Sequence, residues 1–267
     1  MPMLLLALLL GQPPVEEIMA RVAENQARAQ DSRREWVYHQ SILVRLHRGD
    51  GKLAREEAYE YLVTPTPDGQ ERQRLKFAGK YERKGQLIGY DEPGFKYKDM
   101  DIDGELAEGL AEDMVRDRDH KDGIQHNLFP LTPHEQQKYS FRLAGEEMYQ
   151  GTRVYRVLFQ PKSKDFDALW KGEALIETTR FQPVLITTTL GQSIPLVVKT
   201  LLGTNIKQLG FKIVYRQFAE DLWFPESYGG EFDLRALFLY RRKASLSVRN
   251  TDFRRTEVTS RVTFEKP

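Results

Sequence analysis

The chain has 267 residues, of which 40% are hydrophobic and 30% charged, with a formal net charge of +1 and no cysteine. That length buries a sizeable core, and the composition is that of a folded chain rather than a disordered or membrane-embedded one. The small net charge supplies no field of one sign to draw the chain onto nucleic acid, and without cysteine there are no disulfides, thiolate nucleophiles, cysteine-based zinc sites or lipidated N-terminal cysteine.

Met3 to Leu10 is an unbroken apolar run, followed by Gly11, Gln12, Pro13 and Pro14. Such a run is too short to span a bilayer but has the length of a signal-peptide core. No Lys or Arg precedes it, and no A-x-A-like cleavage site follows it. The expectation is a periplasmic or secreted protein with residues 1–12 as signal peptide, a mature chain beginning near Gln12 or Pro13, and 13–267 as one domain. The alternative is an apolar segment docked on the core.

After Pro14, the residues Val15, Ile18, Met19 and Val22 recur at helical spacing, with Glu16 and Glu17 where the first turn favours negative charge. The pattern fades near Asp31. The period then becomes two. Trp36, Tyr38, Ile42, Val44 and Leu46 share one strand face, with Gln40 breaking the row. Arg48 to Lys52 is a hairpin signal, and Tyr59, Tyr61 and Val63 alternate beyond it. Pro65 to Gly69 is the next turn, and Leu75 and Phe77 are expected to face away from Arg72, Arg74 and Lys76. Gly51-Lys52 and Gly79-Lys80 read as hairpin pairs.

Leu106, Leu110 and Met114, spaced by four, predict one or two short helices between about Ile102 and Phe129. Alternation returns at Tyr139, Phe141 and Leu143, at Tyr155, Val157 and Phe159, and from Trp170 through Ala174 and Ile176. Val184 to Leu190, Phe211 to Phe218, Phe232 to Tyr240, Ala244 to Phe253 and Glu257 to Phe264 complete the strands. The predicted class is mainly β (α+β): a curved antiparallel sheet with an N-terminal helix and a helical insertion covering its open face.

The order of elements resembles the lipoprotein-sorting carrier (LolA/LolB-like) superfamily. The local match is Trp170-Lys171-Gly172-Glu173-Ala174-Leu175-Ile176-Glu177, then Phe181-Gln182-Pro183-Val184. It is similar to that family's Trp-x-Gly, an apolar-acidic pair, and a turn before a Pro-containing strand; Asp is usual where this chain has Glu177. Gln150-Gly151 to Pro161 and Leu222-Trp223-Phe224-Pro225 also look like stretches of uncharacterised bacterial relatives. The resemblance implies a half-open barrel whose concave face holds lipid or lipoprotein acyl chains, without cofactor or transmembrane span. Each buried methylene contributes about 0.8 kcal/mol, enough for a long chain to bind through area alone.

Sites of chemistry are sparse. Asp99-Met100-Asp101-Ile102-Asp103-Gly104 matches the first half of a calcium loop, but Leu110 stands where the bidentate Glu belongs. The other reading is an acidic turn in which Asp103 caps the next helix. His39, His47, His120, His126 and His134 form no ligand pair, and Gly191-Gln192-Ser193-Ile194-Pro195 is not a nucleophile elbow. Glu56-Glu57 and Glu146-Glu147 point to opposite faces of a strand. No catalytic residue or metal ligand is assigned. The candidate ligand-binding residues are Ile194, Leu196, Val197, Val198, Leu201 and Leu202, in an apolar stretch without strand alternation. The functional expectation is a non-enzymatic envelope protein that binds an apolar ligand. The alternatives are an envelope-stress or protein-interaction module with an envelope protein partner, and an unrecognised hydrolase.

Overall fold

The computed structural model describes residues 12–66, 69–116, 131–162, 170–190, 204–207, 210–220, 222–236 and 240–256. Helix α1 (Val15–Arg33) precedes strands β1 (Trp36–His47), β2 (Leu53–Thr66), β3 (Gly69–Arg83) and β4 (Gln86–Tyr90). Helices α2 (Ile102–Arg116) and α3 (Pro133–Gln136) follow. Then come β5 (Tyr139–Tyr149), β6 (Thr152–Pro161), β7 (Trp170–Glu177), β8 (Pro183–Leu190), β9 (Thr204–Lys207), β10 (Gly210–Gln217), β11 (Trp223–Ala236) and β12 (Tyr240–Arg255).

The strands form one twelve-stranded sheet in the order β4-β3-β2-β1-β12-β11-β10-β8-β7-β6-β5, with β9 paired to β11 off that path. Every described pairing is antiparallel. The two halves of the chain are meanders joined where β1 pairs with β12. Outer strands β4 and β5 do not meet, so the curved sheet stays open, as expected of a half-barrel.

One face of the sheet carries the core. Tyr38, Ile42, Val44 and Leu46 of β1 are buried there with Val248, Leu246 and Ala244 of β12, their register partners or neighbours. Val157, Ala174, Ile186 and Ile213 continue the layer across the other half, and Ile18, Met19 and Val22 of α1 close on it with Ala107 and Ala111 of α2. The opposite face is laced with cross-strand ion pairs. Arg45 and Lys80 flank Glu56, Arg156 bridges Glu147 and Glu173, and Arg216 and Arg249 share Glu226. Such pairs add little stability each, but they keep the outer face hydrated.

Several local readings change. Gln40 does not interrupt the inner face; it is 1% exposed, donates to Asn250 at 3.0 Å, and Asn250 donates to the Pro225 carbonyl. A buried amide is tolerable when bonded this way. A bulge opposite Glu60/Tyr61 turns Leu75 out, half-exposed, and aligns Arg74 and Arg72 with inward-facing Tyr61 and Val63. Gly79 lies within β3, not in a hairpin: a Cβ there would sit 2.1 Å from the Tyr90 ring. The true turn is Lys84-Gly85, both at positive φ, followed by the unanticipated β4. Strand β12 begins at Tyr240 rather than at Ala244, and so takes in Arg241, Arg242 and Lys243, while β11 ends at Ala236. Glu257 to Phe264 lies outside the described residues.

Candidate functional site

The acidic run before α2 is an anchor. Asp101, not Asp103, caps the helix: its Oδ1 accepts from the Gly104 N–H at 3.1 Å. Its Oδ2 accepts from Arg55 Nη1 at 2.8 Å, with Arg55 fully buried and Asp101 1% exposed. Arg55 also donates to Glu57 at 2.8 Å and to the Phe95 carbonyl at 2.6 Å, and lies over the Tyr90 ring. Asp103 instead takes a two-pronged bond from Arg242, at 2.7 and 2.9 Å, and one from the Tyr240 hydroxyl. The helix start is therefore stapled to β2 and β12, the two strands that flank β1. With protein donors on both aspartates, the half-motif for calcium serves as a cap and clamp. Among the described residues no three His, Asp or Glu groups gather as a metal site.

The hydroxyls of Tyr59 and Tyr90 both donate to buried Glu57, at 2.5 and 2.6 Å. Burial first, and then the neighbouring carboxylate, raises both phenols above their ordinary 10.0; burial and Asp103 do the same to Tyr240. The fold holds these groups neutral, so their contribution is complete below about pH 10 and disappears as pH rises through the folded values. Alkaline titration followed by tyrosinate absorbance is expected to show these three phenols ionising only together with unfolding.

Helix α1 is seated differently along its length. Ile18, Met19 and Val22 are apolar contacts. Further on, Asn25 Nδ2 donates to the Arg180 and Phe181 carbonyls, Gln26 to Gln182, and Arg33 to the Trp223 carbonyl. The Trp223 indole donates to the Pro183 carbonyl at 2.7 Å. Glu177 folds the turn beneath, accepting from the Thr179 and Arg180 N–H groups. The stretches 177–183 and 222–225, singled out in the sequence, thus form the seat of α1.

Beside this helix runs an apolar opening. A groove of about 740 Å³ lies between α1, α3 and the start of β5. Met19, Ala20, Ala23 and Ala27 form its helical wall, Tyr139 and Phe141 its strand wall, and Glu16, Glu24, Gln136 and Lys162 contribute polar groups. This volume falls in the roughly 300–1,000 Å³ range of small-ligand sites. A cleft of about 460 Å³ at the β1–β2 turn is unlike it, being lined by charges of both signs. Several of those charges are paired: Arg48 with Glu82, Arg242 with Asp103, Lys243 with Glu231.

The groove was not legible in the sequence, because alanines on a helix read as good helix formers rather than as a wall. Ile194, Leu196, Val197, Val198, Leu201 and Leu202 lie outside the described residues, as do His120 and His126. His39 is placed 3.6 Å from Asp252 on the exposed side of β1. Among the described residues no helix is long and apolar enough to cross a membrane.

No protein-family profile and no curated protein matches the chain. Solved structures similar to it come from lipoprotein-sorting and LolA-superfamily proteins. A domain assigned to outer membrane lipoprotein sorting from Vibrio parahaemolyticus is 11% identical, with 92% of this chain and 95% of that one covered at a TM-score of 0.41. A DUF1329 family protein from Desulfovibrio piger is 9% identical, with coverage of 93% and 96% and a TM-score of 0.39. A LolA superfamily protein from Nitrosomonas europaea is 10% identical, with coverage of 90% and 94% and a TM-score of 0.34.

Proposed function

We propose that this protein is a non-enzymatic carrier of an apolar, acyl-chain-bearing ligand in the cell envelope, and that the ligand lies in the groove between α1, α3 and β5. The observation that carries the reading is the groove itself, walled by Met19, Ala20, Ala23, Ala27, Tyr139 and Phe141. An acyl chain gains free energy from removal of its methylenes from water and needs no catalytic group.

The proposal extends to Ile194, Leu196, Val197, Val198, Leu201 and Leu202 as a border of the same site. What supports this is where the segment departs. Leu190 ends β8 opposite Trp170, at the end of the sheet where β5 begins with Tyr139. The apolar run Met3 to Leu10 supports export.

Native mass spectrometry of the purified protein, and titration with a fluorescent fatty acid, test the reading. The wild type is expected to carry or take up the chain. Ala20 is exposed and lines the groove, so Ala20→Trp fills the site without disturbing the core; it is expected to lose uptake with little change in melting temperature. A wild type that takes up no lipid, or an Ala20→Trp protein that binds as the wild type does, overturns it.

A further inference from the structure

Open sheet edges invite pairing with another strand unless something blocks them. Here two of the exposed edges are blocked. Edge strand β5 is bulged between Leu143 and Gly145 and carries Arg142, Glu146 and Glu147. The part of β3 beyond β4 is bulged as well and carries Arg72, Arg74 and Lys76. Strand β4 has neither device. Its sequence, Gln86-Leu87-Ile88-Gly89-Tyr90, holds no charge, and Leu87 and Ile88 are 53% and 38% exposed.

The direction of its free backbone groups follows from the turn. Lys84 and Gly85 sit at φ 52 and 83, a two-residue turn of the type I′ kind. The flanking pair Arg83–Gln86 then exchanges both hydrogen bonds, and so do the alternate pairs Tyr81–Ile88 and Gly79–Tyr90. The N–H and C=O of Leu87 and Gly89 therefore point away from β3.

We propose that β4 is a self-association edge, and that its partner is β4 of a second copy of this chain, antiparallel about a two-fold axis at Ile88. The sequence is complementary to itself in that register. Leu87 meets Gly89 of the second copy as a hydrogen-bonded pair, twice by symmetry, which uses the free groups of both residues. Gly89 has no side chain to oppose Leu87. Ile88 faces Ile88 of the second copy in the close, non-hydrogen-bonded position. Just past the strand ends, the turn that carries Lys84 in each copy comes to the end where Glu92 of the other leaves the strand, so charges of opposite sign gather at both ends. A strand of five residues makes a small interface, and the dimer is accordingly weak and concentration-dependent. This association is independent of the ligand reading.

The absence of cysteine makes the test clean. Paired Cα atoms at a non-hydrogen-bonded position lie about 4.5 Å apart, within disulfide reach. Under mild oxidation Ile88→Cys is expected to give a covalent species of twice the 31.1 kDa monomer mass, while Gln73→Cys, on the exposed edge of β3, stays monomeric. In sedimentation, the wild type is expected to show a monomer–dimer equilibrium that Leu87→Lys abolishes. Lys84→Glu weakens it, and Lys84→Glu with Glu92→Lys restores it. A wild type that is monomeric at every concentration, with Ile88→Cys crosslinking no faster than Gln73→Cys, overturns the proposal. So does a dimer that survives Leu87→Lys, or pairing of β4 with an extended peptide of another protein while the chain itself stays monomeric.

Discussion

Replacing Arg55 with Leu is expected to destabilise the protein by about 3–5 kcal/mol, the usual cost of removing one partner from a buried ionic network. Arg55 is fully buried, and so is Glu57; Asp101 is 1% exposed. Without the guanidinium, Glu57 keeps only the hydroxyls of Tyr59 and Tyr90, and Asp101 keeps only backbone N–H groups of Tyr97 and Gly104. Two carboxylates would then share an apolar interior without a cation. Packing offers only part of the compensation, because α2 reaches the core through Ala107 and Ala111, which bury small areas, and through Leu106 and Leu110, which are only partly buried. Arg242→Leu is expected to cost less, since Arg242 and Asp103 are 17% and 16% exposed and water can replace part of the bond. Denaturant unfolding of the two variants measures the difference. Equal losses would mean that burial of the Arg55 network is not what fixes α2.

The strands whose inner residues largely alternate were legible: β1, β6 and β12 each carry a mainly apolar buried row against more exposed polar neighbours, interrupted by Gln40, by Asn250 and by the adjacent buried pair Val154 and Tyr155. Elements set by tertiary partners were not. Strand β4 contains Gly89 and two exposed aliphatics, and takes its place from the Lys84-Gly85 turn and from Tyr90 stacking over Gly79. The start of β12 was hidden as well, because three consecutive cations, Arg241, Arg242 and Lys243, are unusual in a strand, yet Arg242 turns inward to meet Asp103. Asp101 and Asp103 are equivalent in sequence, and only the positions of Arg55 and Arg242 decide which one caps the helix. The groove was hidden for a related reason. Its walls come from α1, α3 and β5, which are far apart along the chain, and its helical side is made of alanines whose spacing carries no apolar signal of its own.

Gly172→Ala is expected to cost about 3 kcal/mol or more, although only one methyl group is added. A Cβ at this position would lie 1.9 Å from the Thr187 carbonyl oxygen and 3.0 Å from the Thr188 Cα. Both atoms are backbone of β8, which pairs with β7 through Gly172–Thr188 and Glu173–Thr187. No side chain can rotate aside, so the two strands must part locally. The disturbance would reach Trp170, which is 5% exposed and meets the Phe211 ring edge-on at 5.4 Å. This supplies a physical reason for the Trp-x-Gly pattern: the glycine admits the neighbouring strand, and the tryptophan fills the hollow beside it. At about 2–4 °C per kcal/mol for a domain of this size, the melting temperature should fall by roughly 6–12 °C. Gly109→Ala is the matched control. Gly109 is in α2 with nothing within 4 Å of its added Cβ, so there the same change should be neutral or stabilising, because Ala favours a helix. If both variants melt with the wild type, β7 and β8 do not approach each other at Gly172 as closely as the structure has it.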